Sequence, residues 1–239
     1  MKNILSILTV MILFGSCTKT EISTINKPCF DSCTTVQGRF ITGNNEGIPN
    51  IPIELNAEIQ PPSGIGQTTI RKIATGTTNN NGFYTLNFGL WEREYGQMTS
   101  AVLSINFSYN KLKFLPVTWY ENYRTAEFLG PLTRKDTTIT ANIFLASRSK
   151  LKIRLENFVP LQVGDGFSVI TTCGVGLERQ YESGGFIEAN QPTIEQEVDA
   201  CGNEETTVIV RKTKNGISSS TSTTISTPTG QIVPVTFTY

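Results

Sequence analysis

The 239-residue sequence has no histidine, only 2 Trp and 3 Met, and equal numbers of cations and anions, 20 Lys+Arg against 20 Asp+Glu. Without imidazole, Ser-His-Asp and Cys-His nucleophilic catalysis is excluded, and so are the commonest metal ligand and the usual proton shuttle near neutral pH. No cofactor or metal is expected. The formal net charge is zero and no Lys/Arg-rich run occurs, so the clustered basic surface that phosphate binding requires is missing and a nucleic-acid partner is excluded. Long apolar runs are missing too. The uncharged stretch Ile4–Phe14 is shorter than the about 20 helical residues that a bilayer crossing requires, and no later stretch approaches it.

What the N-terminus does contain is a lone cation at Lys2, the apolar stretch Ile4–Phe14, then Gly15 and Ser16 directly before Cys17. This is the pattern of a secretory signal. Small residues followed at once by Cys resemble the lipobox of bacterial lipoproteins, with Phe14 standing where Leu is usual and Leu13 one place further back. The resemblance implies cleavage after residue 16, diacylation of the Cys17 sulfur and a tether over residues 17–33. Several acyl chains, at about 0.8 kcal/mol per buried CH₂, would hold such a chain on a membrane. Thr18 follows Cys17 in place of the Asp that retains many Gram-negative lipoproteins at the inner membrane, so the resemblance implies the outer membrane. The competing reading is an ordinary secretory cleavage near Ser16 that leaves Cys17 a spare thiol.

Cysteine arithmetic bears on the same point. Five Cys in an exported chain leave one unpaired, whereas acylating Cys17 leaves four that can form two bridges. Cys173 and Cys201 each precede a Gly and border expected strands, which favours their pairing and leaves Cys29 with Cys33. Four cysteines allow three pairings, and a tetrathiolate zinc site competes with all of them, but no CxxC knuckle is present.

After the tether, the chain reads as short Thr-, Ile- and Val-rich runs separated by Gly, Asn and Pro. Alternation is expected to form strands at residues 35–42, 51–58, 68–75, 83–88, 101–109, 112–119 and 137–145, the strand count and spacing of a sandwich. A second set is expected at 151–155, 167–172, 180–186, 206–212, 218–226 and 232–239. In Lys150–Leu155 the alternation of charged and apolar residues is strict, as in an antiparallel sheet wet on one side. Gly216 after Lys214-Asn215 predicts a hairpin that places the hydroxyl-rich run Ile217–Thr227 on an edge. The fold expected is all-β, two consecutive antiparallel β-sandwich domains of immunoglobulin or transthyretin type, at residues 34–147 and 148–239.

In the first set, Val36–Gly38, Gly47-Ile48-Pro49, the alternating Ile51, Ile53 and Leu55, the Thr-rich Thr75–Thr78, the turn Asn81-Gly82 and the aromatic Phe83-Tyr84 occur in that order. In combination they resemble the carboxypeptidase regulatory-like, transthyretin-like sandwich found in lipoproteins and outer-membrane receptors of Gram-negative bacteria. The resemblance covers roughly residues 34–90. It implies a fold and a compartment but no reaction, because function resides in sites grafted on folds.

Two aromatic clusters, Trp91 with Tyr95 and Trp119 with Tyr120 and Tyr123, lie beside charged residues and are candidates for stacking on sugar rings; packing into the core or a domain junction is the competing reading. Glu92 with Glu94 and Glu204 with Glu205 were weighed as glycosidase pairs, but a retaining pair needs carboxyl groups about 5 Å apart across a sugar-sized cleft, and surface acids are the simpler reading. Asp165, between Gly164 and Gly166, reads as a turn residue, with calcium binding as the lesser alternative. The function expected is that of a membrane-anchored, non-catalytic envelope module, with an envelope protein or a glycan as partner.

Overall fold

The computed structural model describes residues 20–23, 25, 29, 32–60, 68–96, 101–115, 126–156, 164–174, 180–187 and 193–238. Cys17, Trp119, Tyr120 and Tyr123 lie outside these residues. The chain is all-β, with one short 3₁₀ turn among the described residues. The first ten strands are β1 (Thr20–Ser23), β2 (Thr34–Ile41), β3 (Pro52–Ile59), β4 (Thr69–Thr77), β5 (Phe83–Phe88), β6 (Ala101–Phe107), β7 (Phe114–Leu115), β8 (Ala126–Gly130), β9 (Thr138–Thr140) and β10 (Ile143–Phe144). They are followed by β11 (Ala146–Glu156), β12 (Gly166–Gly174), β13 (Gln180–Ile187), β14 (Thr193–Cys201), β15 (Glu204–Lys214), β16 (Ile217–Thr227) and β17 (Ile232–Thr238).

The first sandwich faces a sheet of order β1-β4-β3-β6-β8 against a sheet in which β2 pairs with β10, β5 and β9. Alternation determines which side chains enter the core. In Phe83–Phe88 every second residue, Tyr84, Leu86 and Phe88, is buried, and these meet Val36 and Phe40 from β2 and Ile53, Leu55, Leu103 and Ile105 from the opposite sheet. The stretch expected to be a tether contributes β1, which runs parallel to β4. The Asn81-Gly82 turn carries the chain from β4 in one sheet to β5 in the other. Gly82 alone of the two has positive φ, at 78°, and the Asn79 side chain accepts the amides of Asn81 and Phe83 at 2.9 and 3.0 Å to hold the turn.

The second sandwich packs β14-β11-β17 against β13-β12-β15-β16. Leu151, Ile153 and Leu155 of β11 are fully buried against Phe167, Val169, Val208 and Val210. The opposite face of β11 carries Arg148, Lys150, Lys152 and Arg154 beside Asp199, Glu197 and Glu195 of β14. Lys150 Nζ donates to Glu197 at 2.8 Å, and Lys152 pairs with Glu195 at 2.6 Å. The hydrogen bond from Lys152 holds the Glu195 carboxyl below its ordinary range, and the bond to Glu197 raises Lys150. Exposed pairs of this kind add little stability each, so the ladder acts chiefly on register, since a one-residue slip would turn every charge into the core.

The two domains are joined by a short strand pair that belongs to neither sheet of the first sandwich. Ala146 and Ser147 of β11 pair with Leu115 and Phe114 of β7 in the first domain, and from Arg148 onward β11 pairs with β14. The expected boundary at residues 147 and 148 thus falls inside one continuous strand.

Candidate functional site

Three places in the structure bear on function. Around Trp91, β5 has ended at Phe88 and the chain turns through the 3₁₀ segment Glu92–Glu94, which buries Glu94 and leaves Glu92 exposed. Glu94 is not a surface acid. Its carboxylate is fully buried and receives both arms of the Arg71 guanidinium from β4, Nε to Oε1 at 2.5 Å and Nη2 to Oε2. The Trp91 amide donates to the same Oε2 at 2.8 Å, and Arg71 also donates to the Gly89 carbonyl at 3.1 Å. A bidentate charge-assisted pair of this kind is strong and geometrically specific. The half-buried Trp91 ring has the Arg71 guanidinium 4.5 Å and that of Arg93 4.8 Å from its centroid. Cation–π contact therefore already engages the ring expected to stack on sugars. Its companions Trp119, Tyr120 and Tyr123 fall outside the described residues.

A second place is a cleft of about 530 Å³ at one end of the first sandwich, formed where the Ile48–Pro52 segment meets the Ser108–Phe114 segment. Its walls include Pro49, Pro52, the half-buried Tyr109 and Phe114, and its rim presents Asn50 and Lys113. Asn110 shapes the rim by accepting the Leu112 amide on its side chain at 2.9 Å and the Lys113 amide on its carbonyl at 2.9 Å. Asn50 adopts φ 58°, a left-handed conformation that Asn tolerates better than most residues. Sequence reading did not single out this cleft. Tyr109 and Phe114 fall in the alternating runs expected at 101–109 and 112–119 and carry no local signal of a cleft.

The third place is the junction. Leu115, Ala146, Cys173 and Cys201 form a small buried cluster there, and both disulfides are formed: Cys173–Cys201 with Cα atoms 6.1 Å apart and Cys29–Cys33 with Cα atoms 5.6 Å apart. Across the junction, Gly43 N donates to Glu204 Oε1 at 3.1 Å, Asn44 donates to the Asn203 carbonyl at 3.0 Å, and Arg148 N donates to the Lys113 carbonyl at 2.7 Å. Burial pushes the Glu204 carboxyl above its ordinary value, partly opposed by the Gly43 amide, while Oε2 is buried with no hydrogen-bond partner. Glu204 is therefore a joint residue, paired with the first domain and not with Glu205. Asp165 plays a similar part elsewhere. Its side chain, 1% exposed, accepts from Lys214 Nζ at 2.7 Å and from Asn215 N at 2.8 Å, tying the β15–β16 turn to the start of β12. Among the described residues no group of three or more Cys, Asp and Glu side chains is placed to hold a metal.

No protein-family model matches the sequence, and no curated protein matches it. Solved structures that are similar over most of the chain include the shaft pilin SpaA from Lactobacillus rhamnosus GG, at 8% identity and TM-score 0.31 over 87% of this chain and 97% of that one. Two others are BcpA, the major pilin subunit of Bacillus cereus, at 11% identity and TM-score 0.30 over 84% of this chain and 69% of that one, and a streptococcal ancillary pilin at 12% identity and TM-score 0.31 over 89% and 64%. The assignment of two β-sandwiches rests on the sheets of this chain itself.

Proposed function

We propose that this chain is an envelope lipoprotein, anchored in the outer membrane through acylated Cys17, whose two sandwiches act as a non-catalytic binding or structural module, the first of them carboxypeptidase regulatory-like. The observation that carries the reading is the junction, where β7 pairs with the start of β11 and the Gly43–Glu204 and Asn44–Asn203 bonds tie loops of the two domains together. In keeping with this, the enclosed carboxylates of Glu94 and Asp165 are each tied to a cation and to a backbone amide, so they serve the fold. The anchor is tested by expressing the full chain in a Gram-negative host with an alkyne fatty acid. Label in the outer-membrane fraction, lost in Cys17→Ser, is the expected result; unlabelled or soluble wild-type protein overturns it.

A glycan-binding accessory role, supplying a transporter, is the second reading. It draws support from the cleft beside Tyr109 and Phe114, where an aromatic ring and prolines stand next to amide and ammonium donors. Titration with a panel of polysaccharides would then raise the melting temperature of the wild type and not that of Tyr109→Ala. No shift with any member of the panel excludes this reading.

A further inference from the structure

Strand β16 is the outermost strand of its sheet, paired along all eleven residues with β15 and, apart from a single bridge between Thr227 and Gly202, with no strand on its other side among the described residues. An edge strand exposes a row of unpaired amides and carbonyls, and folded proteins normally protect such rows with charge, proline or a bulge. The other edges in this domain are protected. β17 has Pro234 at its middle, β14 carries Glu195, Glu197 and Asp199, and β13 contains Glu182 and a Gly-Gly step. β16 has none of these devices. Its sequence ISSSTSTTIST holds no charge and no proline, and its register against β15 runs without a shift from Lys214↔Ile217 to Glu204↔Thr227.

The strand also projects beyond the core. Residues 217–224 are all exposed, so both faces of the strand are wet, and Ile217 is 74% exposed. On the face shared with Val208 and Val210, β16 presents Thr223 and Thr221, and only Ile225 and Thr227 reach the interior, where Thr227 bridges Gly202 and its carbonyl accepts the Asn203 amide, so the free edge is residues 217–226.

We infer that β16 is a pairing edge for a second copy of this chain, joined antiparallel about a two-fold axis at Ser222, so that two four-stranded sheets become one of eight. The occupant follows from charge and side-chain matching. About Ser222, the midpoint of the strand, Thr221 meets Thr223, Ser220 meets Thr224, Ser219 meets Ile225 and Ser218 meets Ser226, while the buried Thr227 stands outside the pairing. No like charges are opposed, Thr–Thr and Ser–Ser pairs can exchange hydroxyl hydrogen bonds, and each residue keeps to its own face of the sheet. A charged peptide would find no counter-charge along these eleven positions, whereas an identical strand loses nothing by pairing. The symmetry closes at two copies. This inference goes beyond the envelope reading and does not depend on it.

The test uses the full chain with Cys17→Ser, which removes association through lipid, with mass followed by sedimentation velocity over a range of concentrations. A reversible dimer is expected. Ser222→Lys and Ser222→Glu each place like charges directly opposite one another and are expected to give monomers with an unchanged melting temperature. An equimolar mixture of the two is expected to recover the dimer. A monomeric wild type overturns the inference, as does a dimer that survives Ser222→Lys; loss of the dimer in both variants without recovery on mixing overturns the antiparallel register. A variant that melts early is replaced by Thr221→Lys with Thr223→Glu, which opposes complementary charges across the same axis and is expected to remain dimeric; a monomer there counts against the inference.

Discussion

The carboxylate of Glu204, at the start of β15, accepts the amide proton of Gly43 from the other sandwich at 3.1 Å, while its second oxygen is buried without a partner. A carboxyl group raised by burial favours the folded state when it is protonated. Its contribution is therefore fully present below the unfolded value and is lost as pH rises through the folded one. Glu204→Gln keeps an oxygen for Gly43 and removes the titration. Melting temperature followed from acid to neutral pH should show the variant matching wild type in acid and exceeding it at neutral pH; parallel curves would refute the assignment.

Gly43 itself leaves no room for a side chain, because a Cβ there would collide with the Glu204 carboxyl. The obstacle is the mobile end of a side chain, so Gly43→Ala should fold with Glu204 displaced. The expected result is loss of the acid-to-neutral pH dependence described above at a modest cost in stability, read from the same melting curves.

Gly38 differs in kind. A Cβ at this mid-strand position would collide with the backbone carbonyl of Ala141, which also accepts the Tyr84 hydroxyl at 2.7 Å and cannot easily retreat. Gly38→Ala should destabilise by at least the about 1–3 kcal/mol typical of overpacking, measured by urea unfolding.

Removing one member of the Arg71–Glu94 pair leaves a buried, uncompensated charge. Arg71→Met should cost roughly 3–5 kcal/mol, and the double variant Arg71→Met, Glu94→Leu should recover much of that loss. A double-mutant cycle by chemical denaturation checks this. Trp91 emission should shift in Arg71→Met, since Arg71 lies over its ring.

The Cys173–Cys201 bridge spans 28 residues, a loop whose closure stabilises by about 3–4 kcal/mol in the chain-entropy model. Cys173→Ala with Cys201→Ala should lower stability by that order. Removing Cys29–Cys33, with a separation of 4, should cost less. Comparing the two double variants in urea decides between them.

Much of the sandwich architecture was legible because alternation is a local signal that directly records which face is buried. Phe83–Phe88 and Lys150–Leu155 state their inner faces residue by residue, and the Asn215-Gly216 hairpin follows from two adjacent residues that adopt positive φ, at 51° and 76°. β14 was not legible. Its sequence TIEQEVDAC is rich in acids that disfavour strands in isolation, and only the cations of β11 across the ladder make those acids favourable. The run expected at residues 137–145 divides into β9 and β10 because the side chain of Asn142 leaves the ladder to accept the Arg39 amide at 3.1 Å. Of the run expected at 112–119, residues 116–119 lie outside the described residues, and the strand starts only at Phe114 because Lys113 closes a turn onto Asn110. Glu94 and Glu204 were read as surface acids because burial of a charge depends on a partner far away in sequence, Arg71 in one case and Gly43 in the other.

The parallel pairing of β17 with β11 has a mechanical consequence. The first domain is joined to β11 at its N-terminal end, whereas the C-terminal end of β17 lies at the opposite end of the same ladder. A chain held on its N-terminal side and drawn from its C-terminus therefore loads the ladder from Lys150↔Ile232 to Glu156↔Thr238 in shear, with the interstrand bonds sharing the pull instead of opening one after another. Tension between the start and the end of this protein meets its most resistant direction.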